Sequence, residues 1–219
     1  MASSIIHIAV AKEVNKVIKK DYNQLILGSI APDLSKLVGE NKDRSHFLDS
    51  SETDIPNIDK FLNKYKTKLG DTFVLGYFIH LYTDYLWFKY FIPEVFNKEN
   101  SMITKLDGTK VKCSDNMLCQ YIYNDYTNLN LKLLEEYHLD LDFMYNNLPK
   151  IKHIIDEIPM DQIKILTDTT IKIIENTKTH KDFIFDITNV KTFISSSTEL
   201  ILAKLDELFK EGNYDSKSS

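Results

Sequence analysis

The sequence predicts an all-α fold, a single multi-helix bundle with a metal site between its helices. Three observations predict it. Apolar residues recur near the helical period over most of the chain. These stretches are bounded by capping residues and prolines. The 219 residues include only six Gly and five Pro, and strand-like alternation is confined to Phe183-Ile-Phe-Asp-Ile187.

Ser4 can cap a first helix running to about Lys20, with Ile5, Ile6, Val10, Val14 and Ile18 near helical spacing. Tyr22 to Ile30 forms a second, which stops at Ala31-Pro32-Asp33 because the residue before proline resists the helical region. Residues 34–54, rich in Ser, Asp, Lys and Asn, read as a loop. Pro56 suits the first turn of a helix reaching Leu69. Gly70-Asp71 then breaks the chain, and Asp71 caps a long apolar helix ending near Pro93. Lys98 to Lys112, with Asp107-Gly108, reads as a loop or small insertion. Ser114 or Asp115 starts a helix continuing to about His138. Shorter helices are expected from Leu141, Pro149 and Pro159, and a last one from Val190 to Lys210. Residues 1–211 therefore form one helical domain, and 212–219 a polar, flexible tail.

Composition excludes several function classes. Apolar residues make up 43% of the chain, enough for a core. The net charge is −5, with 32 acidic and 27 basic residues interspersed, so no basic face invites duplex nucleic acid. Arg44 is the only arginine. Cys113 and Cys119 lack CxxC spacing, and a reducing compartment suits them. No run of eighteen apolar residues predicts a membrane span, and the first residues lack the basic segment of a signal peptide. The expected location is cytoplasmic. The oligomeric state is not encoded in any pattern.

The chemistry concentrates before residue 90. His80 and Asp84, in Gly76-Tyr-Phe-Ile-His-Leu-Tyr-Thr-Asp84, are four apart, so both side chains leave one helix face a turn apart. An imidazole and a carboxylate at that spacing can hold one cation. A buried Asp in so apolar a helix needs compensation, which a metal or a His–Asp hydrogen bond can each supply. Asp33 follows a helix stop, His46 lies in Arg44-Ser-His-Phe47, and His7 opens the first helix among apolar neighbours. Read singly, they are a turn residue, a loop histidine and a core histidine.

Four segments occur together: His7, Leu27-Gly-Ser-Ile-Ala-Pro-Asp33, Ser45-His-Phe47 and Leu75 to Asp84. In this order and spacing the chain resembles the zinc-dependent phospholipase C family, whose helical fold is shared with the single-strand-specific zinc nucleases. The resemblance covers roughly residues 5 to 90. It implies one zinc surrounded by Asp33, His46, His80 and Asp84. It also implies a second metal at His7, bridged by Asp84. The chain departs from secreted members, which ligate metal through a mature N-terminal tryptophan. This chain begins Met-Ala-Ser, and its only tryptophan is Trp87. Secreted members also carry a histidine soon after the HxxxD pair and then an HxxxE. Here Tyr85 to Tyr137 holds no histidine, and His153 and Glu157, at HxxxE spacing, read as a solvated helix face. One zinc, or two, is the expected complement.

Further candidates are Asp125, as a second-site ligand, a substrate contact or a hydrogen-bonded helix acid, and Arg44, as a phosphate clamp or a surface arginine. Tyr77, Tyr82, Tyr85 and Trp87 can either box a choline headgroup or fill the core. His138 and His180 sit in polar surroundings. The resemblance implies metal-assisted hydrolysis of a small phosphoester or lipid headgroup, with Asp33 doubling as general base. The rival from another class is a non-catalytic binding module stapled by its metal.

Overall fold

The computed structural model of the chain describes residues 2–176 and 181–215. The fold is all-α with one small sheet. Its helices are α1 (Ser4–Ile18), α2 (Tyr22–Ile30), α3 (Leu34–Leu37), α4 (Lys42–Ser45), α5 (Ile58–Tyr65), α6 (Thr72–Leu86) and α7 (Ile92–Val95). After the sheet follow α8 (Asp115–Glu136), α9 (Phe143–Asn146), α10 (Ile163–Glu175) and α11 (Ile187–Asp215). Asp71 and Ser114 cap as expected, whereas the first helix is capped by Ser3, not Ser4, and α5 by Asn57, one residue after Pro56. Ser3, Asp21, Asn41, Asn57, Asp71 and Ser114 each accept a backbone N–H at a helix start.

Three helices position the site. α2 and α6 cross backbone to backbone at Gly28 and Gly76. A Cβ on Gly28 would lie 2.2 Å from the Phe73 carbonyl oxygen, and one on Gly76 would lie 2.3 Å from that of Leu25. Only glycine permits this approach. α1 packs across both helices, and α11 lies against α1 and α6. The apolar sides of these helices join one continuous core that also receives Leu129 and Leu133 of α8 and Leu166 of α10. Trp87 lies deep within it, stacked on Phe91 at 4.2 Å and edge-on to Phe193 at 4.8 Å.

The structure corrects several boundaries. Residues 34–54 hold α3 and α4 instead of an open loop. The expected loop at 98–112 forms an antiparallel sheet of β1 (Phe96–Asn97), β2 (Met102–Thr104) and β3 (Lys110–Lys112). It covers a satellite core of Phe96, Ile103 and Cys113. No helix starts at Pro149; the chain is irregular to Pro159, because Glu157 ties it to α5 by side-chain bonds. Phe183–Ile187 is not a strand; its first residues are held by a side chain of α8. The expected tail overlaps the end of α11, which runs to Asp215, and residues 216–219 lie outside the described residues. So does His180. Among the described residues, no helix is long and apolar enough to cross a membrane.

Candidate metal centre

Each of the five candidate ligands is delivered by a local device. His7 lies near the start of α1 among buried Ile5, Ile6, Ile8 and Ala9, and is itself fully buried against α6. Asp33 ends the 3-10 turn Ala31–Asp33 that Pro32 imposes after α2. His46 caps the C-terminus of α4. The next residue, Phe47, adopts a left-handed φ of 54°, which is costly for a bulky residue. Its ring compensates by inserting edge-on against Phe61 at 5.2 Å and Tyr65 at 6.2 Å. The Tyr77 hydroxyl donates to the Ser45 carbonyl at 2.5 Å, pinning the same segment. His80 and Asp84 project one turn apart from α6, downstream of the Gly76 crossing.

That crossing sets the chemistry of His80. It brings the His80 ring to the Ser29 carbonyl, which Nδ1 meets at 2.8 Å. A carbonyl only accepts, so Nδ1 carries the proton and Nε2 of the neutral ring presents a bare lone pair. His46 is held similarly, with Nδ1 2.9 Å from the Ser45 hydroxyl, itself 2.6 Å from the Ser35 hydroxyl. Anchoring one ring nitrogen while aiming the other inward is the usual support of a metal-ligating histidine.

The five side chains converge. His46 Nε2 lies 3.3 Å from His80 Nε2, 3.5 Å from Asp33 Oδ1 and 3.8 Å from Asp84 Oδ2. His80 Nε2 is 3.7 Å from Asp84 Oδ2. The other Asp84 oxygen, Oδ1, faces His7 Nε2 at 3.3 Å and accepts the Ala2 backbone N–H at 2.9 Å. The rings of His7 and His80 stack at 3.7 Å. Two donor sets result, sharing His80: His7 with His80 and Asp84, and Asp33 with His46 and His80; Asp84 Oδ2 also approaches His46 of the second. The ligand atoms of each set lie within 4.8 Å of one another, and every member is buried.

The electrostatics of the cluster suit a bound cation. Burial and the neighbouring His7 hold His80 down to about 3, so the ring is neutral at ordinary pH. Burial also acts to raise the Asp84 carboxyl, but its interactions with His7 and the groups around it leave it well below the ordinary carboxylate range. Asp33 too is lowered: burial is outweighed by the His46 hydrogen bond and the nearby imidazoles. Both carboxylates are ionised, yet Asp33 Oδ1, Asp84 Oδ2 and both His7 nitrogens are buried without a hydrogen-bond partner. Such orphaned groups are costly in a folded core. Imidazole nitrogens and carboxylate oxygens with converging lone pairs are a fitting donor set for a divalent cation, and they fit zinc among others.

The remaining candidates lie elsewhere. Asp125, read as a possible ligand or substrate contact, accepts backbone N–H groups of Phe183, Ile184 and Phe185 at 2.9, 2.7 and 3.2 Å. Its carboxylate is consumed in holding the segment before α11. Arg44 is exposed and donates to the Asp156 carbonyl, so it braces the irregular 149–159 segment. Tyr77 and Trp87 belong to the core, so no four-ring box forms. His153 is exposed, but Glu157 is buried in an irregular stretch, bonded to Lys64 and Tyr65 at 2.5 Å each; the two do not share a helix face. His138 is exposed. Sequence reasoning missed the anchors Ser29 and Ser45, and missed Lys36, Tyr123 and Asn130, which line a cavity reached from Asp33. The Lys36 spacing, three residues from Asp33, was the available signal.

No protein-family model, curated protein or solved structure matches this chain.

Proposed function

We propose that this chain is a zinc-dependent phosphoester hydrolase of the phospholipase C-like type. The observation that carries the reading is the placement of Asp33. Its side chain is 12% exposed, whereas those of His7, His80 and Asp84 are 0% and that of His46 is 2%. Asp33 alone among the five lines the cavity, so the buried cluster meets its surroundings through one carboxylate.

In this reading His46, His80, Asp33 and Asp84 hold one cation, and His7 with Asp84 holds a neighbour. The metal supplies Lewis acidity: it neutralises phosphate oxygens and makes water nucleophilic near neutral pH. Asp33 would ligate through its buried, unpartnered Oδ1, which faces His46, leaving its other oxygen to orient that water and accept its proton. The Ser29 carbonyl and the Ser45 hydroxyl keep the two imidazoles from rotating. The apolar residues around His7 and His80 exclude competing water.

The second reading, a metal staple, draws on the near-complete burial of the other four ligands. A closed shell characterises structural metals, an open position catalytic ones. Elemental analysis of protein refolded with excess Zn²⁺ and assays on p-nitrophenyl phosphate and bis(p-nitrophenyl) phosphate separate the readings. We expect one to two zinc ions per chain, turnover lost on chelation and restored by zinc, and a drop of about 100-fold or more in turnover for Asp33→Asn. Zinc uptake without turnover would leave the staple. No zinc uptake would remove both.

A further inference from the structure

Beyond Asp33, the cavity lining has no part in holding a metal. The cavity measures about 300 Å³, at the small end of ligand pockets. Four elements enclose it: the N-terminal end of α1, α3, α8 and α10. Most of the wall is apolar, from Ile5, Leu37, Tyr126, Leu166 and Ile173. The Thr127, Thr169 and Thr170 hydroxyls also line it, but each donates to a carbonyl of its own helix, so Lys36 and Asn130 are the polar groups with capacity to spare. Lys36 stands one turn from Asp33 at the exposed end and donates to the Tyr123 hydroxyl at 3.0 Å. An ammonium has three protons, so two remain for another partner. Asn130 stands at the closed end; it is 3% exposed and its Oδ1 has no hydrogen-bond partner. A buried acceptor left in this state asks for a donor from whatever fills the space. The positive end of the 15-residue α1 also opens here, through Ser3 and Ser4.

We propose that this cavity binds the organic group of a small phosphoester, compact, largely apolar and bearing one N–H or O–H, while Lys36 pairs with the phosphate beside Asp33. This rests on the hydrolase reading above and names its substrate class. Charge complementarity fixes the polarity of the ligand: the Lys36 ammonium near Asp33 faces its phosphate, and the unpartnered Asn130 Oδ1 faces a donor on its organic part. The volume suits one ring system or a short chain, not the two acyl chains of a bilayer lipid.

Calorimetric titration of the zinc-loaded and zinc-free protein with non-hydrolysable phosphonates tests it. (1-Naphthylmethyl)phosphonate should bind at least about tenfold more tightly than methylphosphonate in both forms, because only the former buries apolar surface. A ring hydroxyl should tighten binding further in wild type but not in Asn130→Leu. Lys36→Met should weaken phosphonate binding about tenfold and leave binding of 1-naphthalenemethanol unchanged. Thr127→Trp and Thr169→Trp, which fill the cavity from two different helices, should abolish the naphthyl preference. Equal affinity for the naphthyl and methyl phosphonates in folded wild type would overturn the proposal, as would tighter binding of a short two-chain phosphatidylcholine. The two readings fail separately. Naphthyl-selective binding without phosphoesterase turnover keeps the cavity and removes the hydrolase. Turnover without naphthyl selectivity does the reverse.

Discussion

Asp84 and Asp125 are both 0% exposed, and the fold treats them in opposite ways. Around Asp125, in the C-terminal half, three backbone N–H groups converge on one carboxylate, and nothing further is needed. Around Asp84, in the N-terminal half, one backbone N–H and three imidazoles approach, and Oδ2 is left without a hydrogen bond. A buried carboxylate that the chain satisfies is a structural clamp. One that the chain leaves unsatisfied, beside histidines fixed with their lone pairs inward, is a place prepared for something else. Burial alone does not separate the two roles; the count of satisfied lone pairs does.

The sharpest way to break this comparison is to supply the missing cation. If zinc binds the native cluster and not the unfolded chain, as proposed, free zinc at about 1,000 times its dissociation constant stabilises the protein by about 4 kcal/mol, or roughly 10 °C in Tm. Asp84→Asn should erase that gain while leaving the metal-free protein as stable as wild type or more so, since it removes a buried charge. Melting curves with zinc and with chelator measure both. A full zinc gain in Asp84→Asn would mean that Asp84 is a clamp like Asp125.

The converse change comes next in size. Asp125→Ala strands three backbone N–H groups between α8 and α11, and should cost about 3 kcal/mol whether or not zinc is present. Urea unfolding of wild type and variant, each with and without zinc, reads this directly. A cost confined to the zinc-loaded protein would reassign Asp125 to the site.

Proton uptake gives a third, smaller contrast. His80 is held at about 3 in the fold against 6.5 in the open chain. Between those values the unfolded state binds a proton that the folded state refuses, so stability rises with pH across the window and is lost on acidification below about 6.5. The slope for one such group is about 1.4 kcal/mol per pH unit. Asp84 and Asp33, whose carboxyls are lowered, lose their stabilising contribution only below the ordinary value of 3.8. Asp125, whose carboxyl burial raises, works in the opposite sense at the acid end of this interval, so the difference between wild type and a His80 variant is what isolates the imidazole. Denaturation midpoints of zinc-free protein at pH 7, 6 and 5 should fall accordingly, and His80→Gln should flatten the trend. An unchanged slope in that variant would place the proton elsewhere.

The same contrast explains what the sequence could tell. His80 and Asp84 stood out locally, as an i, i+4 pair on an apolar helix, whereas Asp33, His46 and His7 read singly as turn, loop and core residues and entered only through the resemblance; the fold brings the five together. The close crossing was half legible, since Gly28 and Gly76 stand in the quoted motifs but nothing in one dimension pairs them. Asp125 as a hydrogen-bonded helix acid and Arg44 as a surface arginine were among the readings, but their partners, and the burial of Glu157, were not legible. Their partners are backbone groups or side chains dozens of residues away, in segments whose local pattern misleads. Phe183–Ile187 alternates like a strand, yet Asp125 holds its first residues as a loop. Pro149 reads as a helix start, yet Glu157 and Arg44 fasten the following stretch as irregular chain. The short strands β1 and β2 carry too few residues for any period to register.

Arg44 offers the smallest and most discriminating test of that lesson. It lies two residues before His46, where a guanidinium could reach a phosphate at the cluster. In the structure it turns away and donates to the Asp156 carbonyl from an exposed position. A single hydrogen bond from an exposed charged donor to a backbone carbonyl contributes about 1 kcal/mol or less, since water competes for both partners. Arg44→Gln should therefore lower Tm by a few degrees at most. It should leave zinc content unchanged and alter phosphoester turnover less than twofold. Lys36→Met, by contrast, removes the cation that faces the cavity and should raise KM for a naphthyl phosphate with little change in melting temperature. A KM effect in Arg44→Gln with none in Lys36→Met would invert the assignment and place the phosphate on the α4 side of His46.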